Sequence, residues 1–583
     1  MSFVNGHEIT VRSFGWIQDP GKFENLKRVV GTFYYGSTMH RELISTIIPN
    51  LVEERNGRSY FIRILSERPL KLQYKDLVGT SFDPRSSARC NGIIQAVLPG
   101  QKRPFQGNWP ADNFVRWAHA LGFICYDYLS DSFEITESGK RYVESDDNSD
   151  DEKRLLEEAL LSYPPVMRIL NLLSDGSHLT KYELGRQLGF VGEDGFTTLP
   201  QNILLDSLSG ITEAKEKNKM KTDWDGSADK YARMICSWLI AFNLVVKKSK
   251  EFTVHGRTEI IGQAYKITAK GLEARRRGLG VNIATRITKN VYWELFATKC
   301  ADRVYIRTRR SCILKILEGT NAVISATGIQ SALRQRYTLD VGVETIKDDV
   351  RGLINIGLNI EITERGYKFR DSIVDFVVPE LTVQETRVSD LLRYKENCRG
   401  RLRHIPHDYL SLIDMAFDGK QNRLFEMQTM DLLINECGFA GRHLGGGRKP
   451  DGIMYRTEEQ HGIIIDTKAY ANGYGLPISQ ADEMGRYVRE NQTRNPAINA
   501  NHWWDNFPDT IEIFNFAFIS GAFKRNIATA LRHIALDTGV NGAAIGIVDL
   551  LLLAEKLKSG GLTYESFYNG LNTNAELRIE ELS

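Results

Sequence analysis

The chain has 583 residues, of which 42% are apolar and 25% charged, and its formal net charge is only +2. This composition excludes disordered and fibrous classes, and the length exceeds what one hydrophobic core serves, so we expect a soluble protein of three to five domains of about 100–200 residues each. Because the net charge neither requires nor excludes a polyanionic partner, any nucleic-acid-binding surface must be local.

Four clusters of basic residues are candidates for such a surface, although each alone is more typical of a solvated face. They are KEKNKMK (215–221), KKSK (247–250), ARRRG (274–278) and RTRR (307–310).

The cysteines and the apolar segments indicate the cellular compartment of the protein. The seven cysteines are dispersed and form no C-x-x-C pair or metal-type cluster, which favours buried structural roles in a reducing compartment. The segment MSFVNGHEIT lacks the pattern of a signal peptide, and the most apolar run (543–554) is too short for a membrane span and contains Asp549. We therefore expect a cytoplasmic protein with no membrane partner. The cysteines are Cys90, Cys125, Cys236, Cys300, Cys312, Cys398 and Cys437.

The first two thirds of the chain contain a repeat, in which an apolar residue, a charged residue, Ile, Thr, two variable residues and Gly follow one another. Each copy follows a helix-like segment and a short turn, so the pattern predicts one helix–turn–strand unit used three times. The copies are FEITESG (133–139), YKITAKG (265–271) and IEITERG (360–366), and the helix-like segments are 116–124, 233–245 and 348–358.

The segment before the second copy predicts a helix-turn-helix. Apolar residues at helical spacing run from 166 to Leu173, Asp175 and Gly176 make the turn, and Thr180 begins a capping box. With the following strand this forms a winged-helix module, which can place a helix in the major groove of DNA. The third copy repeats the arrangement from residue 307.

Winged helices also serve as protein-docking domains, so we expect at least one of the three modules not to contact bases. The first and second are the better candidates, because the loops RPFQGNWP (103–110) and KTDWDGSADKYAR (221–233) combine aromatic, amide and cationic side chains. After the third copy, Pro379 and the polar residues that follow it predict a linker.

In the C-terminal part, an amphipathic helix (422–436) precedes two predicted strands, GIMY and GIIIDTKAY. An antiparallel hairpin of these strands pairs Asp451 with Asp466. Alternation along the second strand puts Asp466 and Lys468 on one face and Thr467 on the other.

Two carboxylates this close repel each other unless a cation lies between them, and oxygen ligands favour Mg²⁺. The arrangement predicts metal-assisted hydrolysis of a phosphodiester, with Lys468 positioning or deprotonating the attacking water; the alternative is a surface ion pair on a hairpin. Glu426 could add a further oxygen ligand, although an exposed glutamate on an amphipathic helix needs no such role. The glycine-rich GGGRKP (445–450) lacks the ending of a P-loop, so no nucleotide cofactor is expected.

The pattern PDG…IIIDTKAY, together with LPISQADEMGRYVRENQTRN (476–495), closely resembles the cleavage domain of the FokI-like Type IIS restriction endonucleases, to which StsI also belongs. The segments FGWIQDPGKFENLKRVV, LTKYELGRQLGF, ADKYARM and VYWELFAT are similar to their counterparts in that family, so the likeness spans nearly the whole chain.

The resemblance implies a multidomain fold: three α+β, winged-helix-related DNA-recognition subdomains, followed by an α/β nuclease domain of the PD-(D/E)XK type with a central mixed β-sheet. The expected boundaries are 1–150, 151–285 and 286–378 for the subdomains, the third making mainly protein contacts, 379–390 for the linker and 391–583 for the cleavage domain.

The resemblance also assigns site residues. Asp451, Asp466 and Lys468 are the expected catalytic set, with the two aspartates binding Mg²⁺. Asp482 and Arg486 are expected to pair across a dimer of cleavage domains; the alternative is an i,i+4 salt bridge within one helix. The expected DNA-binding residues are Gln18, Arg85, Gln101, Trp109, Thr222, Asp225, Lys230 and Arg233.

Three DNA-binding positions depart from the family. Asp19 and Thr222 stand where the family has asparagine, and Asp225 stands where it has glutamate. A carboxylate accepts a hydrogen bond from cytosine but cannot copy the paired contact of an amide with adenine. The family's target, GGATG, is therefore an expectation rather than a consequence of these residues.

We expect a bacterial Type IIS endonuclease that binds double-stranded DNA and a second copy of itself, and whose third subdomain masks the active site until DNA is bound. Two alternatives stay open. One is a winged-helix regulator without activity, and the other is a repair nuclease or nickase that recognises DNA structure rather than sequence.

Overall fold

The computed structural model describes residues 16–18, 20–52, 55–80, 90–98, 108–128, 130–280, 286–297, 300–378, 381, 387–524 and 526–582. In that part of the chain, no helix combines the length and the apolar character needed to cross a membrane.

The first subdomain is mainly helical, with a small antiparallel sheet in which β3 lies between β1 and β2. Its elements are α1 (Phe23–Thr32), α2 (Thr38–Glu42), α3 (Ile48–Leu51), α4 (Arg55–Leu65), β1 (Leu72–Gln73), α5 (Tyr74–Val78), α6 (Ile93–Val97), α7 (Trp109–Ala120), β2 (Ile124–Asp127), β3 (Ser132–Ile135) and α8 (Glu137–Glu144).

The second subdomain has the predicted helix-turn-helix and a long two-stranded wing. The turn between α10 and α11 contains Gly176 at φ +80°, and Thr180 and Glu183 form the predicted capping box. The elements are α9 (Asp150–Ser162), α10 (Pro164–Leu172), β4 (Leu179–Thr180), α11 (Lys181–Gly185), α12 (Gln201–Ser209), α13 (Ala214–Asp223), α14 (Ser227–Ala241), β5 (Val245–Val254), β6 (Arg257–Ile267) and α15 (Ala269–Leu279).

The third subdomain consists of α16 (Arg303–Glu318), α17 (Ala326–Tyr337), α18 (Val343–Asn355), β7 (Ile360–Thr363) and β8 (Gly366–Phe369). Its RTRR cluster, a candidate basic surface, is instead internal. Arg309 and Arg310 are 2% and 3% exposed, and both donate to the buried carboxylate of Asp349. These cations lie inside because the buried aspartate neutralises them.

The repeated Ile-Thr-x-x-Gly pattern has a simple cause in the first two copies. Thr136 and Thr268 cap α8 and α15, and each hydroxyl accepts the N–H of the glycine three residues later. A β-carbon on that glycine would lie 2.1 Å from a backbone oxygen in the first copy and 2.0 Å in the second. Only glycine therefore lets the helix begin so close to the preceding chain.

The third copy uses the same residues differently. Thr363 and Gly366 face each other at the turn of the β7–β8 hairpin, and the threonine hydroxyl donates to the glycine carbonyl oxygen at 3.0 Å. The predicted helix precedes all three copies, but β2 and β5 lie between the helix and the repeat in the first two, and the third ends at a hairpin turn rather than before a helix.

The C-terminal domain is built on a six-stranded mixed sheet of order β14-β13-β12-β11-β10-β9. Strands β11 to β14 are parallel, whereas β9, β10 and β11 pair antiparallel. The elements are α19 (Asp390–Arg401), α20 (Ser411–Ala416), α21 (Asn422–Asn435), β9 (Ala440–His443), β10 (Gly452–Arg456), β11 (His461–Lys468), α22 (Ile478–Thr493), β12 (Ile513–Ser520), α23 (Ile527–Thr538), β13 (Gly542–Gly546), α24 (Ile547–Ser559), α25 (Tyr564–Leu571) and β14 (Glu576–Leu577).

Both faces of this sheet are covered, which explains the unbroken apolar run in β11. Ile463 and Ile465 belong to the hydrophobic cluster on one face, and Ile464 belongs to the cluster on the other. A strand buried on both faces has continuous rather than alternating hydrophobicity, as in other α/β folds.

Candidate active site

The hairpin of β10 and β11 has the predicted register. Gly452 pairs with Ile465, and continuing this register by one residue places Asp451 opposite Asp466, at the end of the hairpin farthest from its turn. Residues directly opposite each other in an antiparallel pair have Cβ atoms about 4.5–5.5 Å apart. Two carboxylates therefore lie side by side at the edge of the hydrophobic layer.

Each carboxylate has a defined set of contacts. Lys468 Nζ donates to Asp466 Oδ1 at 2.9 Å, so these two residues share one face as predicted. Asp451 Oδ2 accepts the backbone N–H of Thr467 at 2.7 Å and its hydroxyl at 3.0 Å. The sequence predicted that Thr467 turns away from the site; this contact exists because Asp451 precedes β10 and is not held to the strand's alternation.

Each ionisable group of the site alters the pKa of its neighbours. Burial, followed by the neighbouring carboxylates of Asp466 and Glu426, holds the pKa of Asp451 well above its usual range. Burial also raises the pKa of Asp466, although the Lys468 ammonium opposes the change. Burial lowers the pKa of Lys468, but the charges of Asp466 and Asp451 outweigh it and raise that pKa overall. The lysine is therefore protonated in this arrangement.

The donor set suits a hard divalent cation. Asp451 and Asp466 supply carboxylate oxygens, which Mg²⁺ prefers. Burial and, after it, the neighbouring carboxylates raise the pKa of Asp451, and a bound cation would offset both effects. Glu426 lies nearby, and its Oε2 is 3.3 Å from Nε2 of the buried His443. Across the described residues, no three His, Cys, Asp or Glu side chains are grouped for metal binding. Glu426 as a third ligand stays a prediction.

Several of the expected DNA-binding residues lie around one cleft. Gln18, Trp109, Asp225 and Lys230 line a cavity of about 650 Å³ between the first and second subdomains and the chain before α21. Trp109 begins α7 and is 56% exposed. Thr222, near the end of α13, is exposed. Three further positions, Asp19, Arg85 and Gln101, lie outside the described residues.

Asp225, one of the expected DNA-binding residues, is paired with two cations of the protein, and its contact with DNA stays a prediction. Its carboxylate is only 3% exposed and lies 2.5 Å from Lys181 Nζ and 2.7 Å from Arg233 Nη1. A buried carboxylate is stable when cations neutralise it, and here both oxygens are taken by protein partners. Asp225 therefore holds Arg233, whose side chain is 35% exposed at the same site.

Two known proteins match the chain over nearly its whole length. The Type II restriction enzyme FokI of Planomicrobium okeanokoites is 46% identical over 579 residues, which cover 98% of this chain and 99% of that protein. The chain belongs to the FokI family. The Type II restriction enzyme StsI of Streptococcus sanguinis is 33% identical, with 94% of this chain and 93% of that protein covered.

The FokI-family resemblance extends to every part of the fold. The structure of FokI bound to DNA has a TM-score of 0.93 and 45% identity, covering 98% of this chain and 100% of that one. A second FokI structure has a TM-score of 0.92 and 45% identity, covering 97% of this chain and 100% of that one. The family's models match residues 12–145 (FokI, recognition domain, subdomain 1), 152–284 (subdomain 2), 296–365 (D3 domain) and 389–578 (FokI, cleavage domain).

The cleavage domain of this FokI-family protein is docked on its second subdomain through the β9 edge. Arg442 in β9 donates to Asp206 at 2.7 Å. Next to it, the Trp224 ring lies edge-on to His443, 6.4 Å away, and the Arg423 guanidinium lies 4.4 Å from the same tryptophan ring. An edge strand presents unpaired backbone groups, so covering it prevents pairing with other chains.

The third subdomain contacts the cleavage domain elsewhere. Arg399 in α19 donates to Asp348 of α18 at 2.8 Å, and His407 Nδ1 lies 2.7 Å from the same carboxylate. The resemblance implied that the third subdomain masks the active site. In the structure β9, the strand beside the catalytic hairpin, is covered by the second subdomain, and masking of the active site by the third subdomain stays a prediction.

Helix α22 carries the expected dimerisation residues. Asp482 is exposed, whereas Arg486 donates to Glu483 at 3.0 Å and lies 3.7 Å from Glu490. The alternative of an Asp482–Arg486 salt bridge within the helix is therefore not what the structure has. Glu483 is also close enough to the catalytic site to raise the pKa of Asp466 further.

Three residues of these sites were not singled out from the sequence, namely Lys181, Trp224 and His443. Trp224 lies within the loop already identified as DNA-binding, so its aromatic character was a usable signal. Lys181 contacts Asp225, more than forty positions away, and His443 contacts Glu426, 17 positions away. No local spacing in the sequence indicates such contacts.

Proposed function

We propose that the protein is a Type IIS restriction endonuclease that binds a short asymmetric DNA sequence and hydrolyses both strands at a fixed distance outside it. The supporting observation is the cluster of Asp451, Asp466 and Lys468 at the end of one hairpin, in a cleavage domain that follows three recognition subdomains. The DNA in the FokI structure that the chain matches supports DNA as the partner. The family's target, GGATG, is the expected sequence.

The residues of the site would have different roles in phosphodiester hydrolysis. Asp451 and Asp466 would hold Mg²⁺, which when bound polarises a phosphoryl oxygen and stabilises the leaving 3′ oxygen. Lys468 is protonated beside Asp466, where its ammonium can hydrogen-bond the attacking water or a phosphate oxygen. Water attacks phosphorus in line with the leaving group. A new P–O bond forms as the bond to the 3′ oxygen breaks; the water loses a proton to solvent and the 3′ oxygen gains one, which leaves a 5′ phosphate and a 3′ hydroxyl.

Run-off sequencing of plasmid cleaved by the protein tests the proposal. Because the recognition subdomains hold the nuclease at a distance set by the fold, both strands should end at constant offsets from one asymmetric motif. Ends scattered without a motif would contradict the proposal and favour a structure-specific nuclease. Sequence-specific binding without cleavage, at any Mg²⁺ concentration, would favour a regulator.

We also propose that two cleavage domains meet on DNA, because one Asp–Asp–Lys site hydrolyses one strand. Asp482 and Arg486 lie on the same helix, with Asp482 exposed and Arg486 contacting Glu483, Glu490 and the Tyr487 ring of that helix. Such pairs are worth about 0.2–0.5 kcal/mol. Arg486 can therefore exchange its partner for the carboxylate of a second copy at little cost.

Replacing Asp482 and Arg486 together with alanine should leave target binding intact and strongly reduce double-strand cleavage, since the partner domain is lost. Plasmid assays that separate nicked from linear product, over a range of protein concentrations, measure this effect. The matched control is Asp390→Ala with Arg393→Ala, another exposed pair on a helix of the same domain. Wild-type linearisation by the first double variant would refute the interface.

A further inference from the structure

The cleft that holds the expected DNA-binding residues is completed by the cleavage domain. Besides Gln18, Trp109 and Lys230, its walls include residues 418, 420 and 421, which connect α20 to α21, and residues 423 and 424 in the first turn of α21. Gln421 in this segment donates to Asp194 of the second subdomain at 3.3 Å. The nuclease thus contributes one side of the surface on which the recognition subdomains would bind DNA.

The charges on that side are available to a polyanion. Lys420 and Arg423 are exposed, and neither forms an ion pair with a carboxylate in the described part of the chain, where Arg423 instead packs on the Trp224 ring. Four of the five aspartates that line the cleft already accept hydrogen bonds from protein groups, namely Asp112, Asp194, Asp225 and Asp418. Of these aspartates, Asp112 and Asp225 are paired with cations, whereas Lys420 and Arg423 keep a positive charge that no carboxylate of the described residues neutralises.

We propose that Lys420 and Arg423 of the docked cleavage domain bind backbone phosphates of the DNA that occupies this cleft. The proposal rests on the proposed function, which places DNA there. Phosphate contacts position DNA without discriminating among bases, so these residues add affinity rather than specificity. The docked arrangement is compatible with bound DNA, because the chain matches FokI bound to DNA with a TM-score of 0.93 over 98% of its length.

This contact favours binding of the target and opposes release of the nuclease from its docked position. A cleavage domain that leaves its docked position to reach the cleavage site gives up the phosphates held by Lys420 and Arg423. Removing the two cations should therefore weaken binding of the docked complex without touching the catalytic hairpin.

The test measures the salt dependence of binding by the full chain. Ca²⁺ replaces Mg²⁺ to prevent hydrolysis, and the dissociation constant is measured at several salt concentrations on a duplex with the target and on a matched duplex without it. Each lost phosphate contact should reduce the slope of log K against log salt by about 0.9. We expect this reduction on both duplexes for Lys420→Gln and for Arg423→Gln, and a nearly wild-type slope for Lys420→Arg.

Arg578→Gln is the matched control. It removes an exposed arginine beside β14, at the sheet edge opposite the cleft, and should leave the slope unchanged. An unchanged slope for Lys420→Gln would overturn the proposal even if Arg423→Gln altered binding, because Arg423 also packs against Trp224. If the wild-type protein does not prefer the target duplex, the proposed function fails instead. Thermal unfolding of each variant at the wild-type temperature shows that the fold is intact.

Discussion

The Asp466→Ala variant is expected to lose DNA cleavage by about a thousandfold or more, because it removes one of two carboxylates that would hold the catalytic cation, an ion worth several kcal/mol to the transition state. The substitution also leaves Lys468 without its nearest partner, 2.8 Å away. Target binding should persist, since the expected DNA-binding residues lie in another part of the molecule. Rates of plasmid cleavage and equilibrium binding in Ca²⁺ measure the two effects.

Asp509→Ala is the control for this variant. Asp509 is fully exposed on the same domain and pairs only with the Arg494 side chain at 3.3 Å, so wild-type cleavage is expected. Plasmid cutting retained by Asp466→Ala would show that the catalytic centre lies elsewhere. Loss of binding as well as cleavage would show instead that the substitution unfolds the protein.

The second large effect concerns stability rather than catalysis. Asp349→Ala should destabilise the protein by about 3–5 kcal/mol, because it leaves two buried guanidinium groups without their shared carboxylate. Arg309 and Arg310 each lie 2.7 Å from that carboxylate. Arg310 also lies 2.6 Å from Glu193 of the second subdomain, and Arg309 lies 3.5 Å from Glu396 of the cleavage domain. Urea unfolding measures the loss.

The exposed pair of Asp340 with Arg334 gives the control. Asp340→Ala should change the free energy of unfolding by less than about 1 kcal/mol, as for other surface ion pairs. Burial raises the pKa of Asp349, but Arg309 and Arg310 outweigh it and lower that pKa overall. Its stabilising effect is therefore present above the ordinary aspartate pKa and is lost as the pH falls through the lower folded value. Equal unfolding midpoints for both variants would contradict this account.

The catalytic hairpin was predictable because its determinants are local. A polar turn between two apolar runs determines the register, and the register alone brings Asp451 opposite Asp466. The resemblance to the family predicted the recognition subdomains and the cleavage domain. The matched family models confirm the order of these domains along the chain.

The failures of prediction involve residues whose partners are distant in sequence. The RTRR cluster was predicted to be a candidate basic surface. In the structure Asp349, about forty residues later, neutralises two of its arginines in the interior. The pairing of Asp225 with Lys181, more than forty residues earlier, was likewise not visible in the sequence. Charge patterns along a sequence do not distinguish a solvated cation from a buried one.

Trp224 has a consequence for how such enzymes diversify. Its ring is held against the cleavage domain by Arg423, and Thr222, two residues earlier, is expected to contact the DNA. A change in this segment that alters its contact with DNA is therefore expected to alter the contact of Trp224 with the cleavage domain as well. A variant made for a new target should therefore also be tested for the docking of its cleavage domain.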